Sequence, residues 1–441
     1  MSVTVKEFKA AIGIILISLF CFTNGLHDYL YGGETFAIVT LFLGILLLLW
    51  VQPFAIRITY HILWVFLLIL IMLVNNQDNA HYGSFVFNTV FYVALWLMYC
   101  VMCFNDAWHR IFLKMLVLFG MFHAACTWLF YFLPSLYTGK IAPLFPETMK
   151  SLLEQYENGW MPGLTPSYST NGIYLGVTAC AVVSILIVTT QRKKVDVLAA
   201  ILIISALLIT GKRAQTLALA AGFLVLYYVY NNNEKQKRIY RIILIGILVV
   251  VGLFVAAKFV PSLMNVITRF ERETAAGDVT VGRMARFLEA WNLFKENPMW
   301  GIGWNGSLYY FEQVEEIIIN VHNIYLQLLC ETGIVGSLCY FTFFGYNLFW
   351  AIKLVIACGG NQLSITDTTK KAICVALCIE VFFLVYGLTG NPLYDYQSLF
   401  PYLGACAIVG YCKRNYWVPP VKEDCQKIMY VKRKQCNERK L

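Results

Sequence analysis

The chain has 441 residues, of which 59% are hydrophobic and 13% are charged, and its formal net charge is +9 at pH 7. Soluble globular domains carry close to twice that charged fraction, about 25%. The composition therefore excludes an ordinary soluble domain and favours a protein embedded in a membrane.

Apolar segments recur along the chain at lengths close to the roughly 20 residues that a helix needs to cross a hydrocarbon core. These segments predict an all-α polytopic membrane protein with about twelve transmembrane helices. They cover approximately residues 11–25, 36–55, 59–75, 85–104, 112–134, 172–190, 196–210, 214–230, 242–260, 323–346, 372–389 and 396–412. We expect residues 1–412 to form a single polytopic domain, followed by a basic tail at 413–441.

Lysine and arginine are distributed unevenly among the loops between these segments. If Met1 is cytoplasmic, alternate loops hold most of the basic residues, whereas the intervening loops at 26–35, 76–84 and 390–395 hold none. Basic loops favour the cytoplasmic side, so we expect both termini to be cytoplasmic. The positive net charge then mainly reflects the basic residues of the predicted cytoplasmic loops. Attraction to membrane lipids accounts for the basic tail, and no nucleic-acid partner is expected.

Two long loops are predicted on the exported side, at about 135–171 and 261–321. Both are rich in aromatic and apolar residues, which favours ordered structure over disorder. In the first loop, Trp160 and Tyr168 could belong to a lid or a sugar-stacking surface. A packed cap over the helical bundle is the equally good alternative.

The second exported loop contains an amphipathic pattern. Residues 283–296 place apolar side chains at three- and four-residue spacings, which predicts a helix along the membrane interface. Arg283 and Arg286 are three residues apart and therefore neighbours on this helix. The glycines of Gly301-Ile302-Gly303 then permit a tight turn; no nucleotide-binding fingerprint surrounds them.

A further basic pair interrupts the apolar sequence at Lys212-Arg213. The predicted topology places this turn on the exported side, where other short turns lack positive charge. Basic residues on the exported side run against the positive-inside bias, so we treat Lys212 and Arg213 as candidate functional residues. Snorkelling of the two side chains at a helix end is the alternative interpretation.

His322 stands where the second exported loop re-enters an apolar helix. A histidine beside arginines at a membrane surface suits chemistry on a lipid-linked phosphorylated substrate. Arginine can stabilise a departing diphosphate, and histidine can accept the proton of an attacking hydroxyl. The exported segments contain no Asp-x-Asp pair, and no His/Cys cluster has metal-ligand spacing, so we expect neither metal nor cofactor.

Two stretches of the chain resemble the bacterial O-antigen ligase and O-antigen polymerase family. Gly282-Arg283, an aromatic-rich helix, Pro298 and Gly301-Ile302-Gly303 resemble one family pattern. The segment His322–Gln327, followed by Glu331–Gly336, resembles the most diagnostic family motif. Arg213 and Asn171 are similar to residues of two weaker motifs. Phe287 stands where the family often has tryptophan, and Lys212 where it commonly has a small hydroxyl residue.

The resemblance implies a GT-C-like glycosyltransferase of the bacterial inner membrane with its active site on the exported face. Such an enzyme moves a glycan from undecaprenyl pyrophosphate to an acceptor hydroxyl, without metal and with inversion. His322 is then the candidate base, and Arg213, Arg283 and Arg286 are the candidate contacts to pyrophosphate. The candidate supporting residues are Asn323, Tyr325, Gln327, Glu331, Lys212 and Asn171.

The acceptor is left open by the resemblance. A polymerase would use a lipid-linked repeat unit of O-antigen, capsule or exopolysaccharide, and a ligase would use lipid A core. A related enzyme would use protein serine or threonine. We favour the polymerase, for which a chain-length regulator is a further expected partner alongside membrane lipids.

A lipid-linked oligosaccharide flippase is the rival from another functional class. Transporters usually place their charges near the bilayer midplane, whereas the cations here cluster at one interface, which favours an enzyme. The sequence leaves the roles of two acidic residues undecided. Glu331 could belong to the site or be a satisfied buried acid beside Gly333, and Glu380 has no motif around it.

Overall fold

A computed structural model of the chain describes residues 4–23, 25–51, 60–74, 82–189, 191–231, 283–316 and 319–417. All regular elements within these ranges are helical. The α-helices are α1 (Val5–Phe22), α2 (His27–Tyr31), α3 (Glu34–Trp50), α4 (Tyr60–Val74), α5 (Tyr82–Met102), α6 (His109–Phe132), α7 (Pro134–Leu136), α8 (Met149–Glu157), α9 (Tyr168–Val188), α10 (Lys194–Ile209), α11 (Arg213–Tyr230), α12 (Arg283–Glu296), α13 (Gly306–Glu315), α14 (Ile324–Gly359), α15 (Asp367–Tyr386) and α16 (Tyr396–Tyr416).

The helices coincide with the predicted apolar segments, apart from the segment at about 242–260, which lies outside the described residues. Also outside them are residues 261–282, the basic cluster at 235–241 and the tail beyond residue 417. Three helices, α6, α9 and α14, are long and apolar enough to cross a membrane by length and composition. The all-helical membrane architecture is thus consistent with the prediction. The number of spans and the GT-C-like arrangement stay predictions.

Some helix boundaries differ from the sequence prediction for local reasons. Helix α15 begins at Asp367 rather than near residue 372, because the Thr366 hydroxyl accepts the backbone N–H of Thr369 at 3.1 Å and caps the helix. Helix α14 continues to Gly359. Its C-terminal half carries apolar residues past the predicted end at residue 346.

Helices α9, α15 and α16 lie at the centre of the bundle. Helix α15 packs against α9, α11, α14 and α16. Because neighbours surround it, every residue from Ala372 to Phe383 is buried, Glu380 included. Such burial requires an apolar sequence around the whole helix rather than along one stripe. This central packing fixes the ends of α14, α15 and α16 relative to one another.

The first of the two long loops predicted to be exported, at about 135–171, is folded into a cap. It contains α7, a π-helical turn at Tyr137–Ile141, a 3-10 turn at Ala142–Leu144, and α8. The Tyr137 ring stacks on Tyr156 at 4.5 Å between centroids, and the Tyr156 hydroxyl donates to the Phe130 carbonyl at 2.7 Å. The predicted order of this loop is confirmed, and these contacts favour a packed cap.

Helix α14 is broken near its start, at Gly333, whose φ of 60° and ψ of −166° are non-helical. In an unbroken helix the N–H groups of Ile334 and Val335 would donate to residues 330 and 331. Here they donate to the carbonyls of Pro298 at 2.8 Å and Met299 at 3.4 Å. The break thus opens the helix to the loop that follows α12.

Candidate active site

The N-terminus of α14 holds the histidine singled out from the sequence. The Asn323 side chain accepts the N–H groups of Tyr325 at 3.0 Å and Leu326 at 3.1 Å, which caps the helix. His322 precedes the cap with a φ of 62°, a left-handed conformation that histidine adopts more readily than most residues. The chain therefore turns sharply at His322 before entering α14.

The turn that follows α15 holds this helix start in place. The N–H of Ile324 donates to the Gly387 carbonyl at 2.9 Å, and the Asn323 amide donates to the Leu388 carbonyl at 3.3 Å. The Tyr325 hydroxyl donates at 2.7 Å to the Leu384 carbonyl, which lies one helical turn before Leu388. Asn323 and Tyr325 therefore attach His322 to the end of α15.

The predicted helix at 283–296 is confirmed as α12. Its Arg283 guanidinium donates to the Thr389 carbonyl at 3.2 Å, in the same turn that holds the start of α14. The first arginine of α12 and His322 thus share one anchoring segment.

The apolar stripe expected on α12 is divided between two faces. Phe287 and Phe294 pack inward beside the buried Ala290 and Leu293. Met284, Leu288 and Trp291 are exposed instead. The interfacial placement of this helix stays a prediction, and the exposed residues are those that would meet lipid.

The Lys212-Arg213 turn lies under the folded cap. The Lys212 ammonium lies 4.0 Å from the centroid of the Tyr168 ring, and Tyr168 stacks on Trp160 at 4.9 Å. A Cβ at Gly211 would contact the Trp160 ring. Arg213 is the first residue of α11. The aromatic residues predicted for a lid therefore form one wall beside the Lys212 ammonium.

The electrostatics of His322 connect these segments. Burial, the largest cause, and the nearby charges of Arg283, Arg286 and Lys212 together lower the pKa of His322 to about 4. Three basic side chains from α12 and the α10–α11 turn therefore act on one imidazole. At neutral pH this imidazole is uncharged and able to accept a proton, in a field that attracts anions.

The Gly-x-Gly loop fits against the break in α14. The N–H groups of Ile302 and Gly303 donate to the carbonyls of Cys330 and Glu331, both at 2.9 Å, which are the acceptors that the break leaves free. A Cβ at Gly301 would overlap the backbone of Glu331 and Thr332. Backbone hydrogen bonds therefore join the loop at residues 298–303 to the helix at residues 330–335, and we call this junction the splice. Gly301 is required there because the two backbones approach closely.

The Glu331 side chain reinforces this splice. It is fully buried, and its carboxylate accepts four hydrogen bonds. One oxygen accepts from Ser307 at 2.6 Å and the Gln327 amide at 2.9 Å. The other accepts from the Asn305 backbone N–H at 3.0 Å and the Tyr394 hydroxyl at 2.5 Å. Glu331 is thus a satisfied buried acid that connects α13, α14 and the segment before α16.

Gln327 extends the network towards the loop that carries His322. Its amide also donates to Asn320 at 3.0 Å, and its side-chain oxygen accepts from the Asn391 amide. The side chains of Glu331 and Gln327 are both fully buried, and their hydrogen bonds connect segments in the interior of the protein.

Asn171 has a different position among the predicted residues. It is fully buried, and its amide donates to the Met161 carbonyl at 3.0 Å and the Thr127 hydroxyl at 2.9 Å. These contacts fasten the end of the folded cap to α6. Asn171 therefore orders the cap that covers Lys212.

Sequence reasoning missed the segment between α15 and α16. Its Thr389 carbonyl binds Arg283, and its Asn391 and Tyr394 side chains bind Gln327 and Glu331. One sequence signal could have indicated it. This short loop carries polar residues and no lysine or arginine, and the predicted topology puts it on the same side as His322.

Residues 198–341 match a family model described as O-Antigen ligase. The match confirms the resemblance to the O-antigen ligase and polymerase family. The matched segment runs from α10 into α14 and contains Lys212, Arg213, Arg283, His322 and Glu331. A comparison with curated proteins gives no match.

Proposed function

We propose that this protein transfers a glycan from undecaprenyl pyrophosphate to an acceptor sugar hydroxyl on the exported face of the membrane. The observation that carries the proposal is the convergence of Arg283, Arg286 and Lys212 on the neutral His322 imidazole. Cations suit a diphosphate leaving group, and an uncharged imidazole suits the activation of a hydroxyl.

In the proposed reaction His322 accepts the acceptor's hydroxyl proton as the hydroxyl oxygen bonds to the anomeric carbon. The bond from that carbon to the diphosphate oxygen breaks, and the electron pair leaves with the diphosphate. Arg283, Arg286 and Lys212 stabilise the developing charge, and Arg213 is proposed as a further contact to the diphosphate. Arginine's planar fork suits this role because it can engage two phosphate oxygens together.

Repeat-unit polymerisation is the preferred form of the reaction, with a second lipid-linked repeat unit as acceptor. O-antigen ligation to lipid A core is the second candidate, and the description of the matched family favours it. The two differ in the acceptor, not in the proposed roles of His322 and the arginines.

The test is glycan transfer by purified protein in liposomes, with an undecaprenyl-pyrophosphate-linked repeat unit as the sole substrate. A polymerase yields a ladder of products, whereas a ligase yields product only when lipid A core is added. His322→Ala should abolish transfer, and Arg283→Lys should lower it at least tenfold, because a point charge cannot replace a bidentate contact. Arg192→Lys, on an exposed residue, is the matched control.

Transfer by His322→Ala at the wild-type rate would exclude its assignment as the base. Movement of the intact lipid-linked donor across the membrane without transfer would favour the flippase instead.

A further inference from the structure

The C-terminal part of α14 presents a continuous stripe of side chains on one face. Leu338, Thr342, Tyr346, Phe349 and Lys353 recur every three or four residues and therefore align along the helix. Leu338 is 58% exposed and Phe349 is 50% exposed, so part of this face lies at the surface of the bundle. Helix α14 also meets the length and hydropathy of a membrane span.

An apolar groove lies at the N-terminal end of this stripe. It has a volume of about 400 Å³ and lies between α4 and α14, where the Trp64 indole donates to the Cys339 carbonyl at 3.2 Å. Its lining residues are Leu63, Trp64, Leu67, Leu338, Cys339 and Thr342. Apart from one threonine hydroxyl, these side chains are hydrophobic or weakly polar, so the groove suits a hydrocarbon chain.

Aromatic rings continue from the groove towards the C-terminal end of the stripe. The Trp64 ring lies 6.2 Å from the Tyr346 ring. The Lys413 ammonium donates to the Tyr346 hydroxyl and lies 4.4 Å from the centroid of the Trp350 ring. The Lys353 ammonium lies 5.3 Å from the same Trp350 ring. Two positive charges therefore lie around one tryptophan at the C-terminal end of the stripe.

The spacing along α14 matches one leaflet of a bilayer. From Thr342 to Lys353 the helix rises about 16 Å, at about 1.5 Å per residue, and half of a hydrocarbon core is about 15 Å. Tryptophan and tyrosine characteristically mark the level of the lipid headgroups. A lipid with its phosphate beside the two lysines would reach the groove with the end of its chain.

We propose that Lys353 and Lys413 bind the phosphate of an anionic phospholipid, with the end of one acyl chain in the groove between α4 and α14. Lysine binds phosphate as a point charge and keeps its cation–π contacts at the ring faces. From Gly333 to Lys353 the helix rises about 30 Å, the thickness of a hydrocarbon core. The lipid site therefore lies at the opposite end of α14 from His322, and it does not depend on the proposed reaction.

The first test is native mass spectrometry of the purified full-length protein. It is mixed with equal amounts of phosphatidylglycerol and phosphatidylcholine that have identical acyl chains. Wild type should retain the anionic lipid preferentially. The double variant Lys353→Gln/Lys413→Gln should lose that preference, by about fivefold for each lysine removed. The control Lys193→Gln/Lys194→Gln removes two exposed charges elsewhere and should leave the preference unchanged.

A wild-type protein without preference, or an equal loss in the control variant, would overturn the site. Preferential retention of undecaprenyl phosphate over an equal amount of phosphatidylglycerol, lost in the double variant, would overturn the phospholipid assignment, since the lysines would then serve the carrier lipid.

The second test examines the groove by photolabelling, first in the wild-type protein and then in a variant that fills the groove. Phosphatidylglycerol with a photoreactive group at the end of one chain should label peptides that contain Leu338–Thr342 or Leu63–Leu67. Labelling spread evenly over the exposed helices would overturn the groove assignment. Thr342→Trp, which fills the groove at an exposed position, should remove the labelling of these peptides.

Discussion

The Glu331 carboxylate accepts the backbone N–H of Asn305 at 3.0 Å, across 26 residues of sequence. This bond joins the loop after α12 to the helix that begins beside His322. The splice at Gly333 and the four donors around Glu331 therefore fix the spacing between the helix of Arg283 and the histidine. Contacts of Glu331 and Gly333 therefore position Arg283 and His322 in addition to the hydrogen bond that Arg283 itself makes to Thr389.

Glu331→Gln should destabilise the protein by about 1–3 kcal/mol and lower glycan transfer at least tenfold. The new amide nitrogen must face either the Gln327 amide or the Asn305 N–H, and a buried donor against a donor is costly. Thermal unfolding and transfer assays on the same preparation measure both effects. Glu289→Gln is the control, since Glu289 is partly exposed and binds only Tyr310 and Asn292 among described contacts. Equal stability of both variants would contradict this role for Glu331.

Gly301→Ala should destabilise the protein by more than 2 kcal/mol. Its φ is 72°, and a Cβ there would overlap the backbone of Glu331, so the splice must open. Gly345→Ala, in the same helix α14 as the break, is the matched control. A Cβ at Gly345 meets open space, and alanine should stabilise the helix by about 0.5–1 kcal/mol. Similar unfolding temperatures for the two variants would show that the splice contributes little.

The sequence allowed the prediction of helices, cationic segments and the histidine, because these depend on local patterns. The α12 helix follows from its apolar spacing, and the Asn323 cap completes a recognisable motif. The role of Gly301 could not be derived in the same way. It depends on the backbone of residues 330–332, and no local pattern encodes a contact between two distant segments.

The face of α12 that packs inward was also beyond the sequence. The sequence pattern predicts one broad apolar stripe, and tertiary packing decides which part of that stripe faces inward. Phe287 and Phe294 pack beside Ala290 and Leu293, which leaves Trp291 outside. Likewise, the Tyr394 hydroxyl donates to the Glu331 carboxylate from a segment without a recognisable motif. Only the fold shows that these two residues are in contact.

The pH dependence of transfer should report the charges around His322. The pKa of His322 is lowered to about 4, so the base is neutral above that pH and activity is lost as the pH falls through it. For the free enzyme, kcat/KM should therefore stay constant from pH 7 to about 5. The acid limb of the pH profile, where activity falls with decreasing pH, should lie at higher pH for kcat than for kcat/KM. A bound diphosphate offsets the charges of the cations and thereby raises the pKa of the base.

Lys212→Gln removes one of the charges that lower the His322 pKa. Its acid limb in kcat/KM should move to higher pH, on the order of half a pH unit. Each profile is normalised to its own plateau, so weaker donor binding does not imitate the shift. Lys194→Gln, on an exposed residue, should leave the limb unchanged. An acid limb in Lys212→Gln that coincides with wild type would separate this lysine from the base.

The segments that carry the proposed site should lie outside the cytoplasm, because the positive-inside distribution separates them from the basic loops. Single cysteines at Ser151 and Gln313, in a background without native cysteine, test both exported segments with a membrane-impermeant thiol reagent. Both positions are exposed in the structure, whereas Ser307 is buried against Glu331 and would not label in either orientation.

On intact cells with a permeabilised outer membrane, Ser151→Cys and Gln313→Cys should react, and Lys193→Cys should react only after lysis. Reaction of Lys193→Cys but not Gln313→Cys on intact cells would invert the topology. His322 and its cations would then face the cytoplasm, and glycan transfer on the exported face would be excluded.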